Sequence, residues 1–223
     1  GKRLSVDEQY IQANLKEYLH PTTISFLPDG RVTMTFNFSQ KSPEHAQAFD
    51  PPIQSKTNSA IRWTLPREET YFGVYGDDNF RSGLRLSDAG MTHIRCWFKD
   101  DVEAEMVFVS GTSSSPGNVA ALVFTNDKGD SLGSNLGTQA AQFWKGKQRK
   151  SKGEAEKLNI YGSTKMKLVV KGEMFEAHSK SSRKESLPYV QKNFASGRIG
   201  FIWSGKIAGM VPSLTITGQV DVE

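Results

Sequence analysis

Residues 197–207 read GRIGFIWSGKI and residues 212–218 read PSLTITG, and these two runs decide the fold. Each has the composition of an apolar strand, and a Gly-rich connection separates them. In the second run Leu214 and Ile216 alternate with Thr215 and Thr217, which is the period of a strand with one buried face. We therefore expect this last strand to lie inside a sheet and to close the fold.

The same alternation recurs along most of the chain from residue 24 onward. Apolar residues occupy the even positions from 32 to 38, directly after the turn-forming residues Pro28, Asp29 and Gly30. Further strands are predicted at residues 61–65, 71–75, 83–86, 91–98, 102–109, 119–125, 165–170 and 174–179. A polar, Pro-containing loop is predicted at residues 42–58. Short strands without helices between them predict an all-β fold, a two-sheet antiparallel jelly-roll sandwich.

Residues 5–19 are the exception, because their pattern predicts a helix. Ser5 is a suitable N-cap, and Asp7 and Glu8 suit the first turn. Four apolar residues follow at helical spacing before Pro21 stops the helix: Ile11, Leu15, Tyr18 and Leu19. We divide the chain into an N-terminal helix or linker, residues 1–23, and a jelly-roll domain, residues 24–223.

The composition argues against several classes of protein. The net charge of +4 and the pI near 9.1 come without a clustered basic stripe, so no nucleic-acid partner is predicted. No run of about 18 apolar residues exists, which predicts no membrane insertion. The start at Gly1 and Lys2 lacks the pattern of a signal peptide, so we expect a trimmed or mature form. The single Cys96 is expected to be a small buried hydrophobe rather than a reactive thiol.

Several runs carry a resemblance to a known superfamily: GLRLSD at 83–88, DVEAEMVF at 101–108, KMKLVVKGEMFEA at 165–177, GRIGF at 197–201 and LTITG at 214–218. Together they resemble the concanavalin A-like lectin/glucanase superfamily, and they are most similar to laminin-G-like jelly-roll domains of environmental bacteria. The resemblance spans residues 24–220. It implies a concanavalin A-like sandwich, a fold that hosts lectins, glycosidases, adhesion modules and accessory domains.

A polar face around one predicted hairpin is the main candidate for ligand binding. If residues 91–98 pair with residues 102–109, the odd positions share one face: His93, Arg95, Trp97, Glu103 and Glu105. A flat indole suits the C–H face of a sugar, and the charged groups suit its hydroxyls. The alternative is a solvated sheet face on which opposite charges pair across strands.

Trp144 is a second candidate stacking residue, and a basic run follows it: Lys145, Lys147, Arg149, Lys150 and Lys152. The run suits docking of a sulfated or uronic-acid polymer, or of nucleic acid, through release of counterions. The alternatives are a long charged loop that keeps the chain soluble, and a tryptophan half-buried at the edge of the core.

The glucanase branch of the superfamily places three carboxylates at alternate positions of one strand, and Asp101, Glu103 and Glu105 have that spacing. The resemblance implies Glu103 and Glu105 as catalytic candidates for retaining glycoside hydrolysis. The order of the three residues departs from the family, however, and Asp101 falls in the predicted turn.

No metal site is predicted from the four histidines, which lack metal-ligand spacing. Calcium is the one cofactor left open, with Asp127 and Asp130 as its ligands. A plain turn is the alternative, favoured by Lys128 between them.

These features predict a non-catalytic carbohydrate-binding or accessory module of an exported bacterial protein, located outside the cell or in the periplasm. Its partners would be a carbohydrate and other domains of a larger parent chain. Two alternatives stay open: a glycoside hydrolase-like enzyme that uses Glu103 and Glu105, and a structural protein-interaction domain.

Overall fold

The structure is a computed structural model that describes residues 4–38, 48–50, 61–64, 83–86, 90–99, 101–110, 119–136, 141–145, 148–151, 162–181, 189–191, 197–204 and 209–221. These residues form one helix, α1 (Val6–Leu19), and sixteen strands. The strands are β1 (Thr23–Phe26), β2 (Val32–Asn37), β3 (Phe49–Asp50), β4 (Ile61–Thr64), β5 (Gly83–Leu86), β6 (Gly90–Ile94), β7 (Val102–Ser110), β8 (Val119–Asn126), β9 (Asp130–Leu136), β10 (Ala141–Lys145), β11 (Gln148–Ser151), β12 (Gly162–Lys171), β13 (Met174–Ser181), β14 (Tyr189–Gln191), β15 (Gly197–Ser204) and β16 (Gly209–Gly218).

The described strands form two antiparallel sheets. One sheet has nine strands, in the order β1-β2-β16-β7-β12-β13-β14, with β5 paired to β16 and β4 paired to β5. The other has seven, in the order β11-β10-β9-β8-β15-β6-β3. The prediction of an all-β two-sheet sandwich is confirmed. Strand β16 pairs with both β2 and β7, so the last strand lies inside the nine-stranded sheet as expected. Strand β15 belongs to the opposite sheet.

Aromatic side chains connect the two sheets through the core. Phe36 of β2 lies 6.0 Å from Phe38, which lies 6.0 Å from Phe49 of β3, and Phe49 lies 5.7 Å from Phe201 of β15, measured between ring centroids. All four rings are fully buried. Because burial of a phenylalanine contributes about 1.5–3 kcal/mol, this row is a major part of what holds the sheets face to face.

Helix α1 begins and ends where the sequence predicts. The Ser5 side chain accepts a hydrogen bond from the Glu8 amide, and the Glu8 carboxylate accepts one from the Ser5 amide. The helix ends at Leu19, since His20 takes a left-handed conformation with φ of 46°. Leu15 and Leu19 are part of the main core, so α1 packs against the sandwich. The division of the chain after residue 23 stays a prediction.

Some predicted loops contain strands. Strand β3 lies inside the predicted loop 42–58, and its Phe49 side chain is buried in the core. The basic run after Trp144 includes β11, which pairs with β10, so the loop interpretation is wrong for residues 148–151. The predicted strand at residues 71–75 lies outside the described residues. Of the helices that the structure describes, none is long and apolar enough to cross a membrane.

Candidate functional site

The predicted hairpin of residues 91–98 with residues 102–109 is wrong. Strand β6 pairs with β15 and β3 in the seven-stranded sheet, whereas β7 pairs with β12 and β16 in the nine-stranded sheet. The chain changes sheets at Phe98, which forms bridges to both Gly197 and Val220. Arg95 and Trp97 therefore do not share a face with Glu103 and Glu105.

Glu103 and Glu105 lie on the outer face of the nine-stranded sheet, where each is paired with a lysine. Glu103 Oε1 lies 2.8 Å from Lys167 Nζ, and Glu105 Oε1 lies 2.8 Å from Lys165 Nζ. All four side chains are at least one-third exposed. This is the arrangement of the alternative interpretation, a solvated face on which opposite charges pair across strands.

Asp101 does not extend this row of carboxylates. It precedes β7 with φ of 59°, and its Oδ1 accepts a hydrogen bond of 3.3 Å from the Gly172 amide in the turn after β12. The three acidic residues thus do not occupy alternate positions of one strand.

His93 is buried, so its predicted place on an exposed face with Trp97 is wrong. Its Nε2 forms a 2.7 Å hydrogen bond with Thr125 Oγ1, and Thr125 Oγ1 forms a 2.6 Å hydrogen bond with Ser131 Oγ. The His93 ring lies across β15 at Gly200, where an added Cβ would come within 2.6 Å of His93 Cδ2. Gly200 is therefore required for the ring to reach Thr125.

The outer face of the seven-stranded sheet carries a second apolar cluster as well. Ala121, Val123 and Ile202 are buried there, and Met91 packs against them. Among the described residues, the outer face of the nine-stranded sheet is partly exposed, whereas the centre of the seven-stranded sheet is buried on both sides.

Helix α1 presents two adjacent rows of side chains to the sandwich. Residues four apart lie on the same face of a helix. One row anchors the helix to the core and consists of Ile11, Leu15 and Leu19. The other row lines an open groove and consists of Tyr10, Asn14 and Tyr18. Tyr18 is thus 53% exposed, although the sequence pattern predicted it among the apolar residues of the helix.

The opposite wall of this groove is formed by residues 95–97 and by Val220 and Asp221. Backbone hydrogen bonds hold the two segments together: the Asp221 amide donates to the Trp97 carbonyl (2.8 Å), and the Lys99 amide donates to the Gln219 carbonyl (2.9 Å). Asp221 Oδ1 also lies 3.4 Å from Lys99 Nζ. The groove encloses about 280 Å³, near the lower end of small-molecule sites.

Exposed aromatic side chains converge on this groove. Among the described residues, the exposed large apolar side chains are Val6, Tyr10, Tyr18 and Trp97, and the three aromatic ones all line it. Trp97 is 40% exposed, and Arg198 Cζ lies 5.0 Å from its ring centroid. A guanidinium over the indole restrains the ring by a cation–π contact. We call this feature the aromatic groove.

Cys96 lies in the wall of the aromatic groove but is buried. Burial, with a further contribution from the charge of Asp221, raises the pKa of Cys96 to about 12. The thiol is therefore protonated near neutral pH and is not a nucleophile. The prediction that Cys96 is buried is confirmed.

The structure brings together only part of the predicted site. Trp97 and Arg95 meet in the aromatic groove, whereas Glu103 and Glu105 lie on the nine-stranded sheet and His93 is buried. Trp144 lies in β10 in register with Ser131 and Arg149, and its side chain is outside the described residues. The residues that α1 and the C-terminal segment contribute to the groove were not predicted as site residues. For the α1 row, the spacing of Tyr10 and Tyr18 was a readable signal.

The stretch proposed for calcium forms a turn. Asn126 Oδ1 accepts hydrogen bonds from the amides of Lys128 (3.0 Å) and Asp130 (2.9 Å), and Gly129 has φ of 78°. Within the described ranges, no three His, Cys, Asp or Glu side chains converge as a metal site would require.

Comparison with solved structures identifies the fold. The chain is similar to the xylan β-1,4-xylosidase of Bacillus halodurans C-125, with 11% identity, 86% of this chain covered and a TM-score of 0.54. It spans 45% of that xylosidase chain. A Bacillus subtilis protein of unknown function with a galectin-like fold is 9% identical, with 89% of this chain and 98% of that chain covered and a TM-score of 0.51. No protein-family model matches the sequence, and no curated protein sequence matches it. The chain has a concanavalin A-like jelly-roll fold.

Proposed function

We propose that this chain is a non-catalytic carbohydrate-binding or accessory module, and that the aromatic groove is its sugar-binding site. The observation that carries the proposal is the convergence of Tyr10, Tyr18 and Trp97, exposed, on one open groove. Single exposed apolar side chains are common, but several that line one groove are typical of a binding site.

The polar groups of the aromatic groove suit a polyhydroxylated ligand. Asn14 donates one hydrogen bond to the Tyr10 carbonyl (2.9 Å), and a carboxamide has a second N–H and an oxygen besides. The Arg95 guanidinium and the Asp221 carboxylate supply donors and acceptors on the opposite wall. Sugars present apolar C–H faces and polar hydroxyl edges, which such a mixed lining matches.

The chemistry of the aromatic groove favours binding over hydrolysis. Glycoside hydrolysis ordinarily needs two carboxyl groups about 5–5.5 Å or 6.5–9.5 Å apart. Among the described residues that line the groove, Asp221 is the only carboxylate, and it is paired with Lys99. Glu103 and Glu105 do not line it. Because the groove is open, we expect affinities nearer ~mM than ~nM.

We further propose that the module belongs to an exported bacterial protein and works outside the cell or in the periplasm. The xylosidase neighbour carries this fold over 45% of its length, and its name gives xylan as its substrate. A similar arrangement here would place the aromatic groove beside other domains of a larger parent chain.

Affinity electrophoresis in gels containing xylan, cellulose derivatives or other soluble polysaccharides tests the proposal. The unsubstituted protein is expected to be retarded by at least one polysaccharide, and Trp97→Ala is expected to lose that retardation. The matched control is Glu103→Gln combined with Glu105→Gln on the nine-stranded sheet, which is expected to bind as the parent does.

The same preparations separate the alternatives. Release of reducing sugar that disappears in Glu103→Gln or Glu105→Gln would replace the proposal with the glycosidase alternative. If the protein binds none of the polysaccharides, and either self-associates or retains a protein partner, the interaction-domain alternative would replace the carbohydrate-binding proposal.

A further inference from the structure

We infer that the aromatic groove binds an internal stretch of a linear glycan, laid along the axis of α1, rather than a single terminal sugar. This inference rests on the proposed function and specifies the form of its ligand. It follows from the length of the groove and from the placement of its rings.

The aromatic groove follows the helix for more than two turns. Its helical lining begins at Tyr10 and Ile11 and ends at Tyr18 and Leu19. The two tyrosines are eight positions apart in sequence, which places their backbones about 12 Å apart along the helix axis at 1.5 Å per residue.

The two tyrosines are exposed at opposite ends of this row. Tyr10 is 67% exposed and Tyr18 is 53% exposed, so both side chains are accessible to a ligand in the groove. One sugar ring cannot cover two side chains this far apart. A chain of several sugars contacts both and gains apolar contact at each.

Hydrogen-bonding groups lie between and opposite the tyrosines. Asn14 occupies the middle of the row, and Arg95, Trp97 and Asp221 form the facing wall. A linear glycan presents hydroxyls along both edges throughout its length. The lining therefore fits a ligand that is polar at its edges and apolar on its ring faces over several repeats.

Both walls are fixed before a ligand arrives. Leu15 and Leu19 hold α1 in the core, and the Arg198 guanidinium restrains Trp97. A rigid groove loses little conformational entropy when it binds an extended chain, so contacts at successive sugars add to the affinity.

Isothermal titration calorimetry with xylo- and cello-oligosaccharides of increasing length tests the inference on the full chain. Affinity is expected to rise by about tenfold or more from the monosaccharide to the hexasaccharide in one series, since each added contact lowers Kd. Tyr10→Ala and Tyr18→Ala are each expected to lower hexasaccharide affinity by about three- to tenfold. Lys16→Ala, whose exposed side chain lies off the groove rows, is expected to bind as the unsubstituted protein does.

The outcomes separate this inference from the function on which it rests. Equal affinity for the monosaccharide and the hexasaccharide, with Trp97→Ala still abolishing binding, overturns the linear-chain inference and leaves the carbohydrate-binding function in place. Length-dependent binding that neither tyrosine substitution weakens also overturns it. Failure of both series to bind, when no polysaccharide retards the chain either, overturns both proposals.

Discussion

Substitution of Leu19 by alanine tests whether α1 is docked on the sandwich, a condition on which the aromatic groove depends. Leu19 is 1% exposed and belongs to the main core cluster, at the last residue of the helix. Its neighbour Tyr18 is 53% exposed and faces the groove. The two positions are adjacent in sequence but should respond very differently to truncation.

The expected magnitude follows from this burial. A buried leucine truncated to alanine loses its transfer free energy and leaves a cavity, which together cost about 2–5 kcal/mol. For a chain of this size each kcal/mol lowers Tm by roughly 2–4 °C, so Leu19→Ala is expected to lower Tm by at least about 4 °C. Tyr18→Ala removes a side chain that is more than half exposed and is expected to cost less than about 1 kcal/mol.

Two measurements report on Leu19→Ala. Thermal unfolding followed by circular dichroism gives Tm for both variants and the parent. Amide hydrogen exchange gives the protection of α1 relative to β7 and β16, and so detects a helix that opens while the sandwich stays folded. Leu19→Ala is expected to lower both Tm and the protection of α1.

The reasoning is refuted if Leu19→Ala has the Tm of the parent and the amides of α1 keep their protection. That result would mean that the Leu19 side chain is not part of the core. An equal loss of stability in Tyr18→Ala would contradict the assignment of the two rows of side chains.

Three further predictions concern the sheets and the thiol. Gly200→Ala is expected to cost about 1–3 kcal/mol in urea unfolding, since its Cβ would meet the Thr92 carbonyl oxygen and the His93 ring, and an unchanged midpoint would contradict those close contacts. Because burial raises the pKa of Cys96 from 9.0 to about 12, the stabilisation by its neutral thiol is complete below pH 9.0 and is lost as pH rises toward 12. Cys96→Ala is therefore expected to lose less stability than the unsubstituted protein as pH rises from 9.0 toward 12. If the urea midpoints of the two proteins fall equally over that range, the raised pKa of Cys96 is contradicted. A double-mutant cycle between Glu103 and Lys167 is expected to give a coupling of about 1 kcal/mol or less that falls with added salt, and a larger coupling that salt does not change would contradict an exposed ion pair.

The sequence predicts best the strands whose two faces differ. In β2 and β16 one face lies in the core and the other is exposed in part, so apolar and polar residues alternate and the pattern is visible. The cap of α1 was readable for a similar reason, because Ser5 and Glu8 satisfy backbone groups within one turn.

Strand β9, with the sequence DSLGSNL, carries no such alternation. Ser131 and Gly133 are buried on the outer face of the seven-stranded sheet, where small polar residues fit against the neighbouring strands. Its strand structure comes from pairing with β8 and β10, the strands before and after it in the chain, and not from alternation within its own sequence.

The candidate site was only partly readable. Alternation assigned faces to residues 91–98 and 102–109 but not partners, and two strands adjacent in sequence joined opposite sheets. Trp97 and Arg95 were identified from their chemistry, while their neighbours in the aromatic groove come from α1, far away in sequence. The spacing of Tyr10, Asn14 and Tyr18 showed a shared helical face, but only the docking of α1 shows what that face meets.

The most direct test of the central claim, that the aromatic groove is the sugar-binding site, is an amide NMR titration of the full chain with xylohexaose. The account predicts shift changes concentrated at residues 10–18, 95–97 and 220–221, including the Trp97 indole. Changes concentrated at Glu103 and Glu105 on the nine-stranded sheet, with the groove unperturbed, would contradict it.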